Sequence, residues 1–311
     1  MKVLVAGGAG FIGSNLVDAL LAEGDQVVCV DNFFIGTKEN VSHLAGNANF
    51  TLYEQDLSDL PALKRVFEKE QFDYVFHMAA NSDIQASAEV PEVEYRNTYT
   101  TTFHILECMR LYGAKNLFFC STSAVYGDAL GAEVNETYAP LEPISYYGAC
   151  KLGAEALISA FSYMNNFHSL VFRFPNVIGP RLTHGVIFDF VKRLRENPGE
   201  LTILGDGRQC KPYLYVRDLI DCIMRFKDGL PEGVTLYNVG GHTQSTVTGI
   251  AEIVCREMGL QNVQFHYTGG RGDWKGDVPV FAYNLEKIHK MGWKARLSSD
   301  EAVAQTVRDV L

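Results

Sequence analysis

The sequence predicts an α/β fold in which a doubly wound parallel sheet is joined to a smaller α+β domain. Short apolar runs alternate with amphipathic segments through the first half of the chain, as in consecutive βαβ units. A glycine-rich turn follows the first apolar run, and an acidic residue follows the second. After Asn176 the alternation gives way to turn signals around short elements, which indicates the smaller domain.

Six apolar runs are predicted strands, and helical segments separate most of them. The predicted strands cover residues 2–6, 26–30, 50–54, 74–77, 116–120 and 169–174. Predicted helices cover 14–21, 91–112 and 145–165, and a further helix contains Leu63, Val66 and Phe67. Either Ser58 or Asp59 can cap that helix. In the second half, 217–226 is a predicted helix and 236–239 a short predicted strand.

The composition excludes several classes of function. A net charge of -10 opposes general binding to nucleic acid or to acidic membranes, and no apolar run reaches the length of a membrane span. Seven cysteines without a C-x-x-C pair favour a reducing cytoplasm over a disulfide framework or a metal site. Because Met1 and Lys2 lead directly into a strand, we expect no secretory signal and a cytoplasmic protein.

The turn after the first strand has the spacing of a dinucleotide-binding loop. Gly8, Gly10 and Gly13 fit G-x-G-x-x-G, and Gly7, Gly10 and Gly13 fit G-x-x-G-x-x-G equally well. Glycine lets the backbone approach a pyrophosphate, and the following helix offers free N–H groups and the positive end of its dipole. The placement between strand and helix predicts a Rossmann-type site.

The acidic residue after the second strand indicates which dinucleotide binds. Asp31 lies where a carboxylate meets the hydroxyls of an adenosine ribose. The next residues are Asn32, Phe33 and Phe34, so no arginine is placed to hold a 2′-phosphate. The sequence therefore predicts NAD rather than NADP.

Tyr147 and Lys151 form a Tyr-x-x-x-Lys pair on a predicted helix. Residues four apart share a helix face, and an ammonium beside a phenol is expected to lower the phenol's pKa towards that of a working base. Thr122, at the end of the preceding strand, can supply a hydroxyl to the same site. Tyr283 and Lys287 form a second match, which we interpret as accidental.

Several motifs together resemble the extended short-chain dehydrogenase/reductase family, and most closely its UDP-glucose 4-epimerase branch. The similarity covers essentially the whole chain. It is carried by Gly7-Gly8-Ala9-Gly10-Phe11-Ile12-Gly13, Asp31-Asn32, His77-Met78-Ala79-Ala80, Ser121-Thr122-Ser123-Ala124-Val125-Tyr126-Gly127, Tyr147-Gly148-Ala149-Cys150-Lys151, Arg173-Phe174-Pro175-Asn176-Val177-Ile178-Gly179-Pro180-Arg181, Gly205-Asp206-Gly207 and Tyr213-Leu214-Tyr215-Val216-Arg217-Asp218.

The resemblance implies roles for individual residues. The implied catalytic residues are Tyr147 as base, Lys151 at the nicotinamide ribose, and Thr122 with Ser123 at the sugar. The implied NAD-binding residues are Gly7, Gly10, Phe11, Ile12, Gly13, Asp31, Asn32, Asp56, Leu57, Met78, Ala79, Ala80, Asn97, Tyr147, Lys151, Phe174 and Val177. The implied substrate-binding residues are Asn81, Thr122, Ser123, Ala124, Tyr147, Asn176, Val186, Ile187, Phe188, Lys211 and Arg271.

The resemblance also implies how the chain is divided and assembled. We expect an NAD-binding domain of residues 1–175 plus about 213–240, and a nucleoside diphosphate sugar-binding domain of about 176–212 plus 241–311. Family members commonly dimerise through two long helices, so the expected partners are a second copy of this chain and a UDP-linked sugar substrate.

The expected reaction is NAD-dependent epimerisation at C4 of a nucleoside diphosphate sugar of the UDP-glucose/UDP-galactose type. By resemblance, 4,6-dehydratases carry Asp-Glu directly after the threonine and UDP-glucuronate decarboxylases carry Glu two places after it; here these positions are Ser123 and Ala124. The alternatives are another sugar-nucleotide C4 epimerase or ketoreductase, a dehydratase or decarboxylase, and a non-catalytic NAD-binding scaffold. Two departures from the family pattern are Cys150 and Cys210-Lys211-Pro212.

Overall fold

A computed structural model describes residues 1–129, 131–270 and 282–311, which fall into two compact units. The first unit consists of Met1–Gly127, Pro140–Arg173 and Cys222–Tyr237. The second consists of Asp128–Ala139, Phe174–Asp221 and Asn238–Leu311. Residues 128–139, 174–175 and 213–221, which the sequence placed with the first domain, fall in the second unit.

Fifteen strands and eleven α-helices are assigned within the described residues. The strands are Lys2–Ala6 (β1), Gln26–Asp31 (β2), Phe50–Glu54 (β3), Tyr74–His77 (β4), Asn116–Thr122 (β5), Glu133–Val134 (β6), His168–Phe174 (β7), Asn176–Ile178 (β8), Glu200–Ile203 (β9), Cys210–Lys211 (β10), Tyr213–Tyr215 (β11), Gly233–Asn238 (β12), Ser245–Thr246 (β13), Gln264–Tyr267 (β14) and Ala282–Tyr283 (β15). The helices are Phe11–Ala22 (α1), Leu60–Glu70 (α2), Ile84–Ser87 (α3), Pro91–Glu94 (α4), Thr101–Tyr112 (α5), Tyr146–Asn165 (α6), Val186–Glu196 (α7), Val216–Phe226 (α8), Val247–Glu257 (α9), Glu286–Lys290 (α10) and Ser299–Val310 (α11).

The central sheet has seven strands in the order β12-β7-β5-β4-β1-β2-β3. β1 pairs in parallel with β2 on one side and β4 on the other, and β3 and β5 extend these pairings in parallel. The chain order reverses between β1 and β4, and ligands of such sheets bind beside the carboxyl ends of the strands at that point. The predicted doubly wound parallel sheet is confirmed.

Apolar strand residues are buried against flanking helices in the first unit. β1 and β4 are buried almost throughout, which explains their continuous apolar runs. Helix α2 contributes Leu63, Val66 and Phe67 to this core, as its periodicity predicts. Asp59, rather than Ser58, caps α2 by accepting a hydrogen bond from the Ala62 N–H at 3.0 Å.

The predicted helix 91–112 is helical but not one α-helix. A π-helical segment, Tyr95–Thr100, lies between α4 and α5. The Thr101 hydroxyl donates to the Asn97 carbonyl at 2.8 Å, and the Thr102 hydroxyl donates to the Thr98 carbonyl at 2.6 Å. Such side-chain bonds compete with the backbone for carbonyl oxygens, and π-turns are frequent at functional sites.

The second unit has a separate core between α7, α9 and α11. This core includes Phe190, Leu194, Ile250, Val254 and Val303. Helix α11 starts with a capping box in which the Ser298 side chain and the Glu301 side chain each bond the other's backbone. Among helices within the described residues, none combines the length and apolar composition that a bilayer span requires.

Candidate functional site

The glycine turn after β1 packs so closely that two positions have no room for a side chain. Gly7 has a φ of +79°, and a Cβ atom there would lie 2.7 Å from the backbone nitrogen of Ala79. A Cβ atom on Gly13 would lie 2.1 Å from the carbonyl oxygen of Gly7. The first contact brings the turn against the chain that leaves β4, and the second brings the start of α1 against the turn itself. The helix N-terminus at Gly10 carries no side-chain cap, so its first N–H groups stay available to an anion.

Asp31 fastens the same turn from β2. Its carboxylate accepts hydrogen bonds from the Ala9 N–H at 2.9 Å and from the Phe33 N–H at 2.8 Å. The Asn40 side chain donates to the Ala9 carbonyl at 2.8 Å from the following segment. Asn32 accepts a bond from the Phe34 N–H at 3.0 Å and is exposed. The carboxylate thus shapes the loop through two bonds and retains further acceptor capacity for a ligand hydroxyl.

The remaining predicted cofactor residues of the first unit lie around the ends of β3 and β4. Asp56 accepts bonds from the Ser58 N–H at 2.8 Å and from Arg96 at 2.7 Å, and Leu57 is buried in the core. Met78, Ala79 and Ala80 follow β4 and are half-buried. Asn97 is half-buried within the π-helical segment.

This arrangement fits a dinucleotide. The tight turn and the uncapped start of α1 provide backbone N–H groups for a pyrophosphate, and Asp31 provides an acceptor for ribose hydroxyls. Lys38 is the cation beside the Asp31 loop, 5.1 Å from the Phe33 ring centroid, and it pairs with Glu54 at 2.7 Å. Because its charge is already paired with Glu54, Lys38 is poorly placed to bind a 2′-phosphate. Two further predicted cofactor residues, Phe174 and Val177, belong to the second unit.

Thr122, Tyr147 and Lys151 come together in the first unit. Tyr147 and Lys151 are one turn apart on α6, which starts after Ser145 accepts a capping bond from the Gly148 N–H at 3.1 Å. Thr122 ends β5, and its side chain hydrogen-bonds the Tyr147 hydroxyl. The Lys151 ammonium lies 5.8 Å from the Tyr147 ring centroid and donates to the Cys120 carbonyl at 2.6 Å. Ser123 and Ala124 follow in a 3₁₀ turn.

Burial controls the acid–base properties of this group. It lowers the pKa of Lys151 to about 8, against the opposing effects of Cys120, Glu94 and Glu155. Burial also raises the pKa of Tyr147 above its usual value; Glu94 adds to this, whereas the Thr122 hydrogen bond opposes it. The expectation that Lys151 lowers the pKa of Tyr147 in the protein alone was therefore wrong, because desolvation outweighs any such effect.

A buried ion pair that we did not predict supports the catalytic group. Glu155 lies one turn beyond Lys151 on α6 and accepts bonds from Arg173 at 3.0 and 2.5 Å. It also accepts a bond from the Ser121 hydroxyl, and the Arg173 guanidinium lies 4.8 Å from the Tyr126 ring centroid. The pair therefore links α6 to Ser121 in β5 and to Tyr126 at the end of the 3₁₀ turn that follows β5. The sequence did contain a signal for it: positions 147, 151 and 155 are each four residues apart and therefore share one face of the helix.

The other predicted substrate residues divide between the units. Asn81 is buried in the first unit, and its amide bonds Glu94 and the backbone of Asp83. In the second unit Asn176 and Phe188 are exposed, Val186 and Lys211 are half-buried, and Ile187 packs into the core. Ile187 therefore has only its backbone to offer a ligand. Arg271 lies outside the described residues.

Two relatives in sequence differ in the reaction that their names describe. UDP-glucuronic acid decarboxylase 4 of Arabidopsis thaliana is 36% identical over 318 residues, covering 99% of this chain and 68% of that protein. UDP-glucuronate 4-epimerase of Thermodesulfobacterium geofontis is 32% identical over 317 residues, covering 98% of this chain and 94% of that protein.

The solved structures that match the chain include epimerases and a dehydratase. A UDP-galactose 4-epimerase structure matches with a TM-score of 0.86 and 36% identity, covering 100% of this chain and 98% of that one. The UDP-glucose 4-epimerase of Thermotoga maritima, solved with UDP-glucose, matches with a TM-score of 0.89 and 30% identity over 100% and 98% of the two chains. The dTDP-glucose 4,6-dehydratase of Streptomyces venezuelae, solved with NAD, matches with a TM-score of 0.88 and 27% identity. The match covers 99% of this chain and 96% of that one.

The family assignment follows from the length of chain that matches. The family described as NAD dependent epimerase/dehydratase matches residues 3–240, which include the glycine turn, Asp31 and the Thr122–Tyr147–Lys151 group. The predicted relationship and the predicted cofactor, NAD, are confirmed at this level. The chain belongs to the NAD dependent epimerase/dehydratase family.

Proposed function

We propose that this protein is an NAD-dependent 4-epimerase of a nucleoside diphosphate sugar, of the UDP-glucose/UDP-galactose type. One observation carries the proposal: the structure brings the side chains of Thr122, Tyr147 and Lys151 together. Ala124, two residues after Thr122, stands where a decarboxylase by resemblance has Glu. This group can exchange a proton with a sugar hydroxyl. The chain does not offer, at positions 123 and 124, the acids needed to remove water or a carboxylate.

In the proposed reaction the three side chains have separate tasks. Tyr147 takes the proton of the C4 hydroxyl, and Thr122 holds the C4 oxygen by a hydrogen bond. Lys151 keeps a positive charge beside the phenol ring, which favours the phenolate over the neutral phenol. The flat 4-keto sugar turns about its diphosphate link, so that a hydride would return to the other face of C4 while Tyr147 returns the proton to the C4 oxygen.

NAD, when bound, supplies a carbon that reversibly accepts a hydride, and the positive charge of its oxidised ring favours the phenolate of Tyr147. The protein's own part is to hold the dinucleotide through the glycine turn and Asp31. Because the reaction has no net oxidation, the same NAD serves successive turnovers. We therefore expect it to stay bound during purification.

The diphosphate of the substrate is assigned to residues of the second domain. Asn176 and Lys211 offer polar and cationic side chains, and Arg271 is assigned by resemblance. Val186, Phe188 and the Ile187 backbone belong to the same proposed sugar-nucleotide site. Within this proposal the first domain binds NAD and the second binds the sugar nucleotide.

The test of the function is product identification with a panel of sugar nucleotides. Purified protein is incubated separately with UDP-glucose, UDP-galactose, UDP-glucuronate, UDP-N-acetylglucosamine and dTDP-glucose, and the products are identified by NMR. We expect interconversion of UDP-glucose and UDP-galactose, with a C4 deuterium label retained in the product. A pentose, a 4-keto-6-deoxy sugar or a 4-keto sugar that accumulates without re-reduction would contradict the proposal.

The cofactor has its own test. The protein is precipitated with acid, and the released nucleotide is identified by mass spectrometry. We expect NAD or NADH, because the Asp31 carboxylate repels a 2′-phosphate and Lys38 is already paired with Glu54. Release of NADP would show that this interpretation of the Asp31 loop is wrong.

We further propose a homodimer in the cytoplasm. Support comes from large apolar side chains that α5 and α6 leave exposed: Phe103 and Leu111 on α5, and Tyr163 and Met164 on α6. All seven cysteines are free thiols, as a reducing compartment allows. Light scattering at micromolar concentration tests the assembly, and a monomer would contradict it.

A further inference from the structure

A buried carboxyl group next to α6 is not used by the proposed reaction. Glu94, the last residue of α4, is 0% exposed. Its carboxylate accepts a hydrogen bond from the Asn81 amide at 2.8 Å and another from the Thr98 hydroxyl at 3.0 Å. Within the described residues, no basic side chain forms an ion pair with Glu94 at contact distance.

The partners of Glu94 suit an ionised carboxylate. A carboxylate accepts hydrogen bonds only, and the Asn81 amide and the Thr98 hydroxyl both donate to it. Burial raises the pKa of Glu94, whereas the hydrogen bonds from Asn81 and Thr98 and the charge of Lys151 act in the opposite direction. A buried anion held by neutral donors needs a positive charge nearby to offset its desolvation.

The packing of the helices places Glu94 beside the catalytic group. α3, α4 and the π-helical segment all pack against α6. The approach is close: a Cβ atom on Gly153 of α6 would lie 2.9 Å from the Tyr99 ring. From this position the Glu94 charge raises the pKa of Tyr147 and Cys150 as well as that of Lys151.

Lys151 is the group that needs such a charge. Its side chain is 1% exposed, with the Cys120 carbonyl at 2.6 Å and the Phe119 ring centroid at 4.7 Å. Glu155 also favours the ammonium form, but both of its oxygens are committed to Arg173. The remaining titratable neighbours are Cys120, whose pKa is raised to about 12 by burial, and His77, whose pKa burial and Lys151 lower.

We propose that Glu94 is a positioning residue of this site: the buried counter-charge that keeps Lys151 as an ammonium ion beside Tyr147. Asn81 and Thr98 hold Glu94 in place, so Asn81 acts on the site through Glu94. The π-helical turn brings the Thr98 hydroxyl to the carboxylate. The importance of this role for turnover rests on the proposed function, but the charge interaction itself does not.

The experiment measures the titration of Lys151 directly. Lysine is labelled with ¹³C at Cε, and the Lys151 signal is assigned by its loss in Lys151→Met. In Glu94→Gln, which keeps the size and one acceptor oxygen, we expect the Lys151 midpoint to fall by about one pH unit. The alkaline limb of kcat/KM should move in the same direction, whereas a merely structural role would lower the rate without moving the limb.

Glu92→Gln is the matched control. Glu92 is exposed on the same short helix, and its removal changes the net charge equally. Solvent screens it, so the Lys151 midpoint should stay within about 0.2 pH units of the parent. A folded Glu94→Gln protein whose Lys151 titrates like the parent would overturn the proposal.

Two further outcomes are separable. If Glu94→Gln does not fold, Glu94→Asp replaces it; that variant keeps the charge, so the Lys151 midpoint should match the parent, and a fall would overturn the proposal. The NMR titration needs no substrate. A parent protein that converts none of the sugar nucleotides would therefore contradict the proposed function and leave this test intact.

Discussion

The chain contains two Tyr-x-x-x-Lys pairs, and the structure gives them different surroundings. Tyr147 and Lys151 lie one turn apart on α6, so their side chains share a face. Tyr283 lies in β15, and Lys287 lies in α10 after a turn in which Asn284 accepts a bond from the Glu286 N–H at 3.0 Å. Equal spacing in sequence therefore places the two side chains one helical turn apart only where the intervening residues are helical.

The environments differ as much as the geometry. Lys151 is buried, donates to the Cys120 carbonyl, and has a pKa of about 8. Lys287 is exposed on a five-residue helix. Tyr147 is hydrogen-bonded by Thr122, whereas Tyr283 is opposite Val134 in a two-stranded sheet with β6. A proton-transfer site needs both contact and desolvation, and Tyr147 and Lys151 have them.

Replacing Tyr147 should have the largest effect on turnover. Tyr147→Phe removes the proton acceptor and keeps the ring and its packing. General-base catalysis contributes about two to four orders of magnitude, so kcat should fall by roughly that factor in the product assay. Bound NAD should remain, as measured by the nucleotide released on acid treatment. A fully active Tyr147→Phe enzyme would rule out this residue as the base.

Replacing Lys151 should separate catalysis from stability. Lys151→Met keeps the length of the side chain and removes the charge, so we expect a loss of activity of roughly a hundredfold and weaker NAD retention. At neutral pH we expect only a small change in melting temperature, because the variant no longer buries an ammonium ion whose pKa is lowered from 10.5 to about 8 but leaves the buried Glu94 without its counter-charge.

The pH dependence of that difference has a defined sign. The folded parent binds fewer protons than the unfolded chain between about pH 8 and 10.5, so its stability rises with pH through that window. Any stability advantage of Lys151→Met should therefore shrink as the pH is raised from 8. A large loss of melting temperature at neutral pH would indicate that Lys151 is a structural residue instead.

Thr122→Ala should have a smaller effect. It removes the hydrogen bond to Tyr147 and the bond that the Thr122 hydroxyl accepts from the Ala124 N–H at 3.2 Å. A hydrogen bond is worth about 1 kcal/mol net, so kcat/KM should fall roughly fivefold, and Ser123 or a water molecule can substitute in part. Thr122→Ser, which keeps the hydroxyl, should retain most of the activity. Equal losses in both variants would assign the effect to packing.

The parts of the site that could be predicted from the sequence are those whose structure depends on residues close together in the chain. The glycine turn lies between a strand and a helix that each show their own periodicity, and Asp31 ends the next strand. β5 proved longer than predicted, extending to Thr122 instead of Cys120, and α6 starts at Tyr146 after its Ser145 cap. These differences are small because caps and apolar runs are local signals.

The parts that were missed depend on contacts between distant segments. Glu94 looks like an ordinary acidic residue near a helix start, and only packing against α6 makes it a buried charge. The π-helical segment also escaped prediction, since threonine is common in ordinary helices and strands. The pKa of Tyr147 was misjudged for the same reason: one neighbouring charge can be read from spacing, whereas desolvation depends on the whole surroundings.

Tyr283→Phe should have the smallest effect and is the sharpest control for the comparison. The change matches Tyr147→Phe in chemistry, since each removes one hydroxyl from a half-buried ring. Tyr283 lies in β15 and Lys287 in α10, so this pair is not one turn apart on a single helix, and Tyr283 belongs to the second unit, outside the Thr122–Tyr147–Lys151 group. We expect kcat to stay within about twofold of the parent, with a change in melting temperature that reflects at most one hydrogen bond. Both variants are compared in the same product assay with the same sugar nucleotide. A collapse of turnover in Tyr283→Phe, with Tyr147→Phe unaffected, would reverse the assignment of the two pairs.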